Sequence, residues 1–375
     1  LIYFDNAATT REKPKEVLDA FVYYVTQIGV SPGRGSYSLG IEASRMLYKS
    51  RVTVAEYFGI NEPNVIFTKN STEAINLFFR GFLNKGDHVV ISPYEHNAVL
   101  RPLEMMRKEG LIDYSVIERD DLSESNEFIL DKYTRENTKV IALTLASNLT
   151  GRIIFRSSLF NAARQRGIKT FVDASQGAGK IKLNMFADGI DYLAFTGHKD
   201  LKALPGVGGL CSRETLDFNP LIQGGTGVHG HEKTNPHIFP EGYESGTLNM
   251  PAIWALKTAI EIVSKDFQER SVRTKALTEE LMSQLLSLEN VTVYDKDFER
   301  VDTIGFNIDG YSSNEMVGIL DKNNICTRGG IHCAILAHEA LGTVDKGVVR
   351  VSLSEKNTEE EIQELIGVIK SLGEK

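Results

Sequence analysis

Cysteine is scarce in the 375 residues: Cys211, Cys326 and Cys333 are the only three, an odd number with no C-x-x-C spacing. That excludes a disulfide framework and a thiolate zinc site, and it fits a reducing compartment. An excess of positive charge is missing as well. Lys and Arg number 42 against 50 Asp and Glu, a net charge of −8, which argues against a nucleic-acid or anionic-membrane surface. No apolar run approaches the roughly 20 residues that span a bilayer, and no secretory signal precedes the first strand-like segment. A cytoplasmic protein is the expectation. Internal repeats and low-complexity segments are absent too. No G-x-G-x-x-G follows the first strand, so a nicotinamide dinucleotide fold is a poor fit.

What is present is an ordinary soluble composition, 42% hydrophobic and 25% charged, on a chain long enough for two domains. Near-continuous apolar runs at "DHVVIS" (87–92), "KVIALTLASN" (139–148), "KTFVDASQ" (169–176), "DYLAFTGHK" (191–199) and "GVGGLCS" (206–212) predict strands buried on both faces of a mostly parallel sheet. Helical patterns alternate with them, as in an α/β fold. From about Trp254 to Leu288 a long amphipathic helix pattern follows, then alternating segments at "VTVYD" and "TIGFNID" and a last helix over 358–372. The boundary is expected near residue 255.

Lys199 in "FTGHKDLKALPGVGGL" (195–210) stands just past one apolar strand, and Asp173 in "FVDASQ" ends the strand before it. In parallel sheets ligands bind outside the carboxyl ends of the strands. "FTKNSTEAINLFFRGF" (67–82) turns from strand to helix through Asn70, Ser71 and Thr72. Ser71 or Thr72 can cap that helix, and its free N–H groups suit a phosphate. An amine, an acid and a phosphate-ready helix at neighbouring strand ends are the parts of a pyridoxal phosphate site.

The chain resembles the fold-type I pyridoxal phosphate enzymes of aminotransferase class V, in the cysteine desulfurase and selenocysteine lyase branch. The likeness runs through "YFDNAATT" (3–10), "STEAINL", "SPYEHNAVLRP", "SNLTG", "VDASQ", "TGHK", "ESGTLN", "RGGIHCA" and "VVRVSLSEKNTEEEI" in that order. It implies a seven-stranded, mostly parallel sheet in a large domain, residues 15–255, and a small α+β domain from residues 1–14 and 256–375. It implies that Lys199 holds pyridoxal 5'-phosphate as a Schiff base, with Asp173 on the pyridine nitrogen, Gln176 on the ring hydroxyl and His96 stacked on the ring. Ser71, Thr72, Thr196 and His198 are then phosphate contacts, and Thr247 reaches the phosphate of a partner subunit in a homodimer. Asn148 and Arg350 bind the amino-acid carboxylate, and Arg328 lines the substrate pocket.

Cys333, in "RGGIHCAILAHEALGT" beside His332, matches the nucleophile of the group II desulfurases. The resemblance implies that it takes sulfur from L-cysteine as a persulfide and releases L-alanine, with a sulfur-acceptor protein as a possible partner. A neighbouring histidine or arginine is expected to raise its thiolate fraction. The chain departs from the group II pattern at Ile331, where a histidine often stands, and after Cys333, where a proline is usual. A selenocysteine lyase or another C–S lyase is the alternative; a non-catalytic sulfur carrier is disfavoured by Lys199, Asp173, Arg350 and Cys333 occurring together. Cys211 and Cys326 read as core residues. "GGTGVHGHEK" (224–233) reads as a mobile glycine-rich loop over the site, and no metal is expected.

Overall fold

The computed structural model describes residues 1–33, 35–61 and 64–373. In chain order the strands begin with β1 (Ile2–Tyr3), β2 (Val65–Thr68), β3 (Asp87–Ile91), β4 (Ile112–Val116), β5 (Thr138–Thr144) and β6 (Lys169–Asp173). They continue with β7 (Tyr192–Thr196), β8 (Gly208–Ser212), β9 (Val291–Val293), β10 (Thr303–Ile308), β11 (Ile325–Cys326) and β12 (Val349–Ser352). Seven of them form one sheet in the order β2-β8-β7-β6-β5-β3-β4. Strand β8 is antiparallel to both neighbours and the other pairings are parallel.

The apolar runs are explained by burial on both faces. On β5, Ile141 and Leu143 enter one core while Val140 and Ala142 enter the other; on β7, Leu193 and Phe195 part from Tyr192 and Ala194 in the same way. Strands β5, β6 and β7 stop earlier than the apolar runs, at Thr144, Asp173 and Thr196. Just beyond, Leu145, Ala174 and Gly197 still donate backbone bonds to Asp173, Ala194 and Val207; further on, Asn148, Gln176 and His198 bond through their side chains and line the site.

An aromatic pile fixes the helix Ser71–Phe82 on the sheet. Phe78 stacks on Phe171 at 4.7 Å between ring centroids and meets Phe79, Phe82 and Tyr192 at 5.2, 5.1 and 4.4 Å. Each buried ring is worth about 1.5–3 kcal/mol, enough to hold the helix start in register with the strand ends. The glycines of "GVGG" let β8 pass beneath that start: a Cβ at Gly208 would stand 2.5 Å from the Phe195 carbonyl oxygen and 2.9 Å from the Asn70 backbone.

A three-stranded antiparallel sheet, β12-β10-β9, and the parallel pair β1-β11 carry the rest. Ile2 and Phe4 share a core with Leu281, Phe306, Val351 and Ile366. The single long helix expected from Trp254 is two helices, Met250–Lys265 and Phe267–Leu286, which meet at Asp266. The physical reason is that they serve different cores. Ala252, Leu256 and Val263 pack under the large sheet, whereas Leu277, Leu281 and Leu285 pack with the small one. Buried Asp295 joins the two parts, accepting from Tyr94 Oη (2.8 Å), Thr150 Oγ1 (2.7 Å) and Arg119 Nη2 (2.9 Å).

Candidate active site

At the carboxyl ends of the strands lies a cavity of ≈ 250 Å³ lined by Asn70, Ser71, Thr72, His96, Thr144, Asn148, Asp173, Ser175, Gln176, Thr196, His198 and Lys199. Eight of the nine cofactor residues expected from the sequence are among these. The ninth, Thr247, is exposed and lines an adjacent cavity of ≈ 560 Å³ that shares Asn70 and His198 with the first.

The helix cap is a correction. Neither Ser71 nor Thr72 caps the helix Ser71–Phe82; Asn70 does, its Oδ1 accepting from Glu73 N at 3.0 Å, while Glu73 Oε2 accepts from Lys69 N at 2.6 Å. An asparagine in extended conformation satisfies the end at least as well as a serine. The two hydroxyls are thereby released toward the cavity, where they and the helix dipole favour an anion.

Burial governs the amine. Lys199 is pushed down to about 8, the Asp173 carboxylate opposing that shift and the Arg350 guanidinium adding to it. An uncharged fraction near neutral pH far larger than a free lysine's suits a nucleophile or a base. Asp173 is 3% exposed, and its Oδ1 accepts from Ser175 N (3.0 Å) and Ser175 Oγ (2.5 Å). Burial also takes His96 and His198 down to about 4, so both rings are neutral at pH 7. His96 Nδ1 accepts from Ala98 N at 3.0 Å, which leaves the ring proton on Nε2.

Three buried oxygens in or beside this space have no partner among the described residues: Gln176 Oε1, Thr196 Oγ1 and Asn148 Oδ1. Orphaned buried acceptors are uncommon and call for a ligand or water. They meet the requirements of the expected cofactor, with Asp173 for a ring nitrogen and the Ser71–Thr72 end for a phosphate.

The Cys333 loop, between β11 and β12, reaches the rim of the cavity. Asn97 N donates to Cys333 O (2.8 Å) and Asn148 Nδ2 donates to His332 O (2.6 Å), which ties the loop to the residue after His96. His332 and Cys333 both hold positive φ, +52° and +57°. Such backbone costs about 1–2 kcal/mol per residue for a side chain other than glycine, and strain of this kind gathers at functional sites. His332 does not act on the thiol as expected. Its Nε2 donates to Val348 O at 2.9 Å and burial holds it near about 3, so it supplies no positive charge.

Arg350 is 1% exposed, donating to Asn148 O (2.9 Å) and pairing with Asp5 (2.5 Å). Arg328 faces it across an antiparallel bridge. Neither arginine lines the ≈ 250 Å³ cavity, so Asp5 stands between Arg350 and a free role in anion binding. The N-terminal motif brings further residues that sequence reasoning left without roles. Gln176 Nε2 donates to Ala7 O (3.0 Å), and Thr9 and Lys13 both donate to His198 O (3.2 and 2.6 Å).

Glu95 was also missed; its only signal was an acid beside a histidine after a strand. It is fully buried, accepts from Ser92 Oγ (2.5 Å) and Thr144 N (2.7 Å), and burial lifts it to about 8. A raised carboxyl contributes stability below the unfolded value of 4.5 and loses it as pH rises toward 8. Glu95→Gln removes that titration. Its stability relative to wild type should grow between those two pH values, by at least ~1 kcal/mol, as read from urea melts across the range.

The chain matches the model of the family described as aminotransferase class-V over residues 2–365. It is 31% identical over 370 residues to a protein of Methanothermobacter thermautotrophicus named a probable cysteine desulfurase, covering 96% of this chain and 92% of that one. A protein of Pyrococcus abyssi with the same name is 30% identical over 389 residues, covering 99% and 94%. Among solved structures, the apo cysteine desulfurase of Thermococcus onnurineus superposes with a TM-score of 0.89 at 30% identity, over 99% of this chain and 94% of that one.

Proposed function

The chain belongs to the aminotransferase class-V family, and from that premise we propose that it is a cysteine desulfurase that converts L-cysteine to L-alanine and leaves the sulfur on Cys333. The carrying observation is the convergence of Lys199, Asp173 and the Ser71–Thr72 helix start on one cavity, with the Cys333 loop bonded to its rim.

Bound pyridoxal phosphate supplies an electron sink that weakens the bonds at an amino acid's α-carbon. Lys199 would hold the cofactor and, displaced by the substrate amine, carry the α-proton. Asp173, fixed by Ser175, would face the ring nitrogen, and Gln176 would offer its unpartnered oxygen to the ring hydroxyl. Ser71, Thr72, Thr196 and His198 would hold the phosphate, with His96 stacked on the ring as a neutral imidazole. Arg350 and Asn148 would take the substrate carboxylate once Asp5 shares or yields its guanidinium, and Arg328 would line the same pocket. The Cys333 thiolate would attack the substrate sulfur. As the C–S bond breaks, its electron pair stays with carbon, a proton completes the alanine methyl group, and a persulfide remains.

A homodimer with Thr247 crossing to the partner's phosphate belongs to the same reading. Its support is an exposed apolar face: Leu18, Val22 and Val25 recur at helical spacing, and Tyr37, Leu39 and Ile41 are exposed at the next helix. The Leu18→Glu, Val22→Glu variant should keep the fold, since exposed substitutions shift stability by about ±0.5 kcal/mol, yet sediment as a monomer. A dimer unaffected by both changes would contradict this face.

The functional test supplies L-cysteine and L-selenocysteine separately to holoenzyme and quantifies alanine. Alanine from cysteine supports desulfuration; alanine from selenocysteine alone assigns the activity to the lyase instead.

A further inference from the structure

We propose that the tip of the loop between β8 and the helix Met250–Lys265 binds a divalent first-row transition ion through His229, His231 and Glu232. One nitrogen from each imidazole and one carboxylate oxygen lie within 4.8 Å of one another. The turn brings Glu232 to the two histidines of the H-x-H stretch as a third ligand. Glu232 N donates to His229 O at 3.0 Å, which folds the carboxylate back so that it meets His229 Nδ1 at 2.9 Å. The His229 and His231 rings lie 5.8 Å apart between centroids, tilted by 37°. His229 takes a positive φ of +51° to make this turn, a conformation that costs about 1–2 kcal/mol.

The donor set chooses the ion. Two imidazoles and a carboxylate suit zinc, nickel or copper, whereas magnesium and calcium prefer oxygen alone. Ligand bonds of about 2.0–2.1 Å at tetrahedral angles put donor atoms roughly 3.4 Å apart. The three side chains are exposed, so rotamer changes close that gap readily, and an open position remains for water.

The rest of the loop explains what an ion would add. Its base is already fastened: Asn235 accepts from Gly224 N (2.9 Å) and donates to Gly242 O and Ser245 Oγ (both 2.9 Å), and Gly246 N donates to Gly225 O (2.8 Å). The tip, residues 226–234, contains no buried residue among the described ones. A segment with no apolar core gains order from a metal staple instead. That staple sits on the loop that ends at Thr247, beside the candidate active site.

The test titrates tag-free holoenzyme with zinc chloride by calorimetry near neutral pH. A Cys333→Ser background keeps the active-site thiolate out of the titration. One zinc per protomer is expected, together with slower tryptic cleavage after Lys233 in the zinc-loaded protein. Losing an outer-shell partner alone costs about 10–100-fold in metal affinity, so His229→Ala with His231→Ala should cost at least that. The same double change should leave tryptic cleavage unaffected by zinc. Equal zinc affinity with and without the two histidines, or no binding in either, overturns the proposal.

Discussion

Replacing Lys199 by methionine is expected to abolish turnover, lowering kcat by at least about 10³-fold, because in the proposed mechanism one residue would both anchor the cofactor and move the proton. Borohydride reduction should no longer fix the cofactor mass on the peptide containing residue 199. The same variant carries a second, independent signature in the apo protein. Burial holds the wild-type amine down at about 8 against an ordinary value of 10.5. Between those values the unfolded chain binds more protons than the native one, so wild-type stability rises with pH across that window. Below about 8 the native state bears the full cost of a buried ammonium. Lys199→Met should therefore melt at least as high as wild type near neutral pH, with its advantage shrinking as pH climbs from 8 toward 10.5. Loss of fold in the variant would mean that Lys199 is structural.

Cys333→Ser carries the second large effect. Alanine release from cysteine should fall by at least about 100-fold, equivalent to about 2.7 kcal/mol of transition-state stabilisation, while the cofactor spectrum persists. The loop that holds this residue explains why serine is the fair substitution. Positive φ at His332 and Cys333, and the bond from Asn97 N to Cys333 O, are backbone features, so they survive a change of Sγ to Oγ. Selenocysteine breakdown should fall less, since selenium is the better leaving group. Cysteine desulfuration at the wild-type rate in this variant would make Cys333 a bystander.

The fold was legible because a sheet buried on both faces writes itself as unbroken apolar runs. Phe171, Val172 and Phe195 could hardly sit elsewhere in a chain that alternates them with helices. The placing of Asp173 and Lys199 in one cavity was foreshadowed by their positions at the ends of such runs, and the roles proposed for their neighbours rest on family likeness. Residues whose work depends on distant partners were not legible. Asp5 lies 345 positions from the Arg350 it pairs with, and nothing local in "YFDNAATT" announces that contact. Glu95 drew no reading at all; its burial comes from the segment after β3 meeting the end of β5, where it accepts from Ser92 Oγ and Thr144 N. His332 appeared to be a cationic neighbour for the thiol, yet its surroundings, which residue spacing does not encode, turn the ring toward Val348 and keep it neutral. The break at Asp266 was hidden for a similar reason, because two amphipathic helices that face different cores can share one continuous pattern.

The most direct measurement of the central claim is a single turnover of holoenzyme with one equivalent of L-cysteine, followed by alkylation, digestion and mass spectrometry. The account predicts one alanine per active site and an added sulfur atom on the peptide containing Cys333, with Cys211 and Cys326 unmodified. Alanine formed without sulfur on Cys333, or sulfur found on either other cysteine instead, would contradict it.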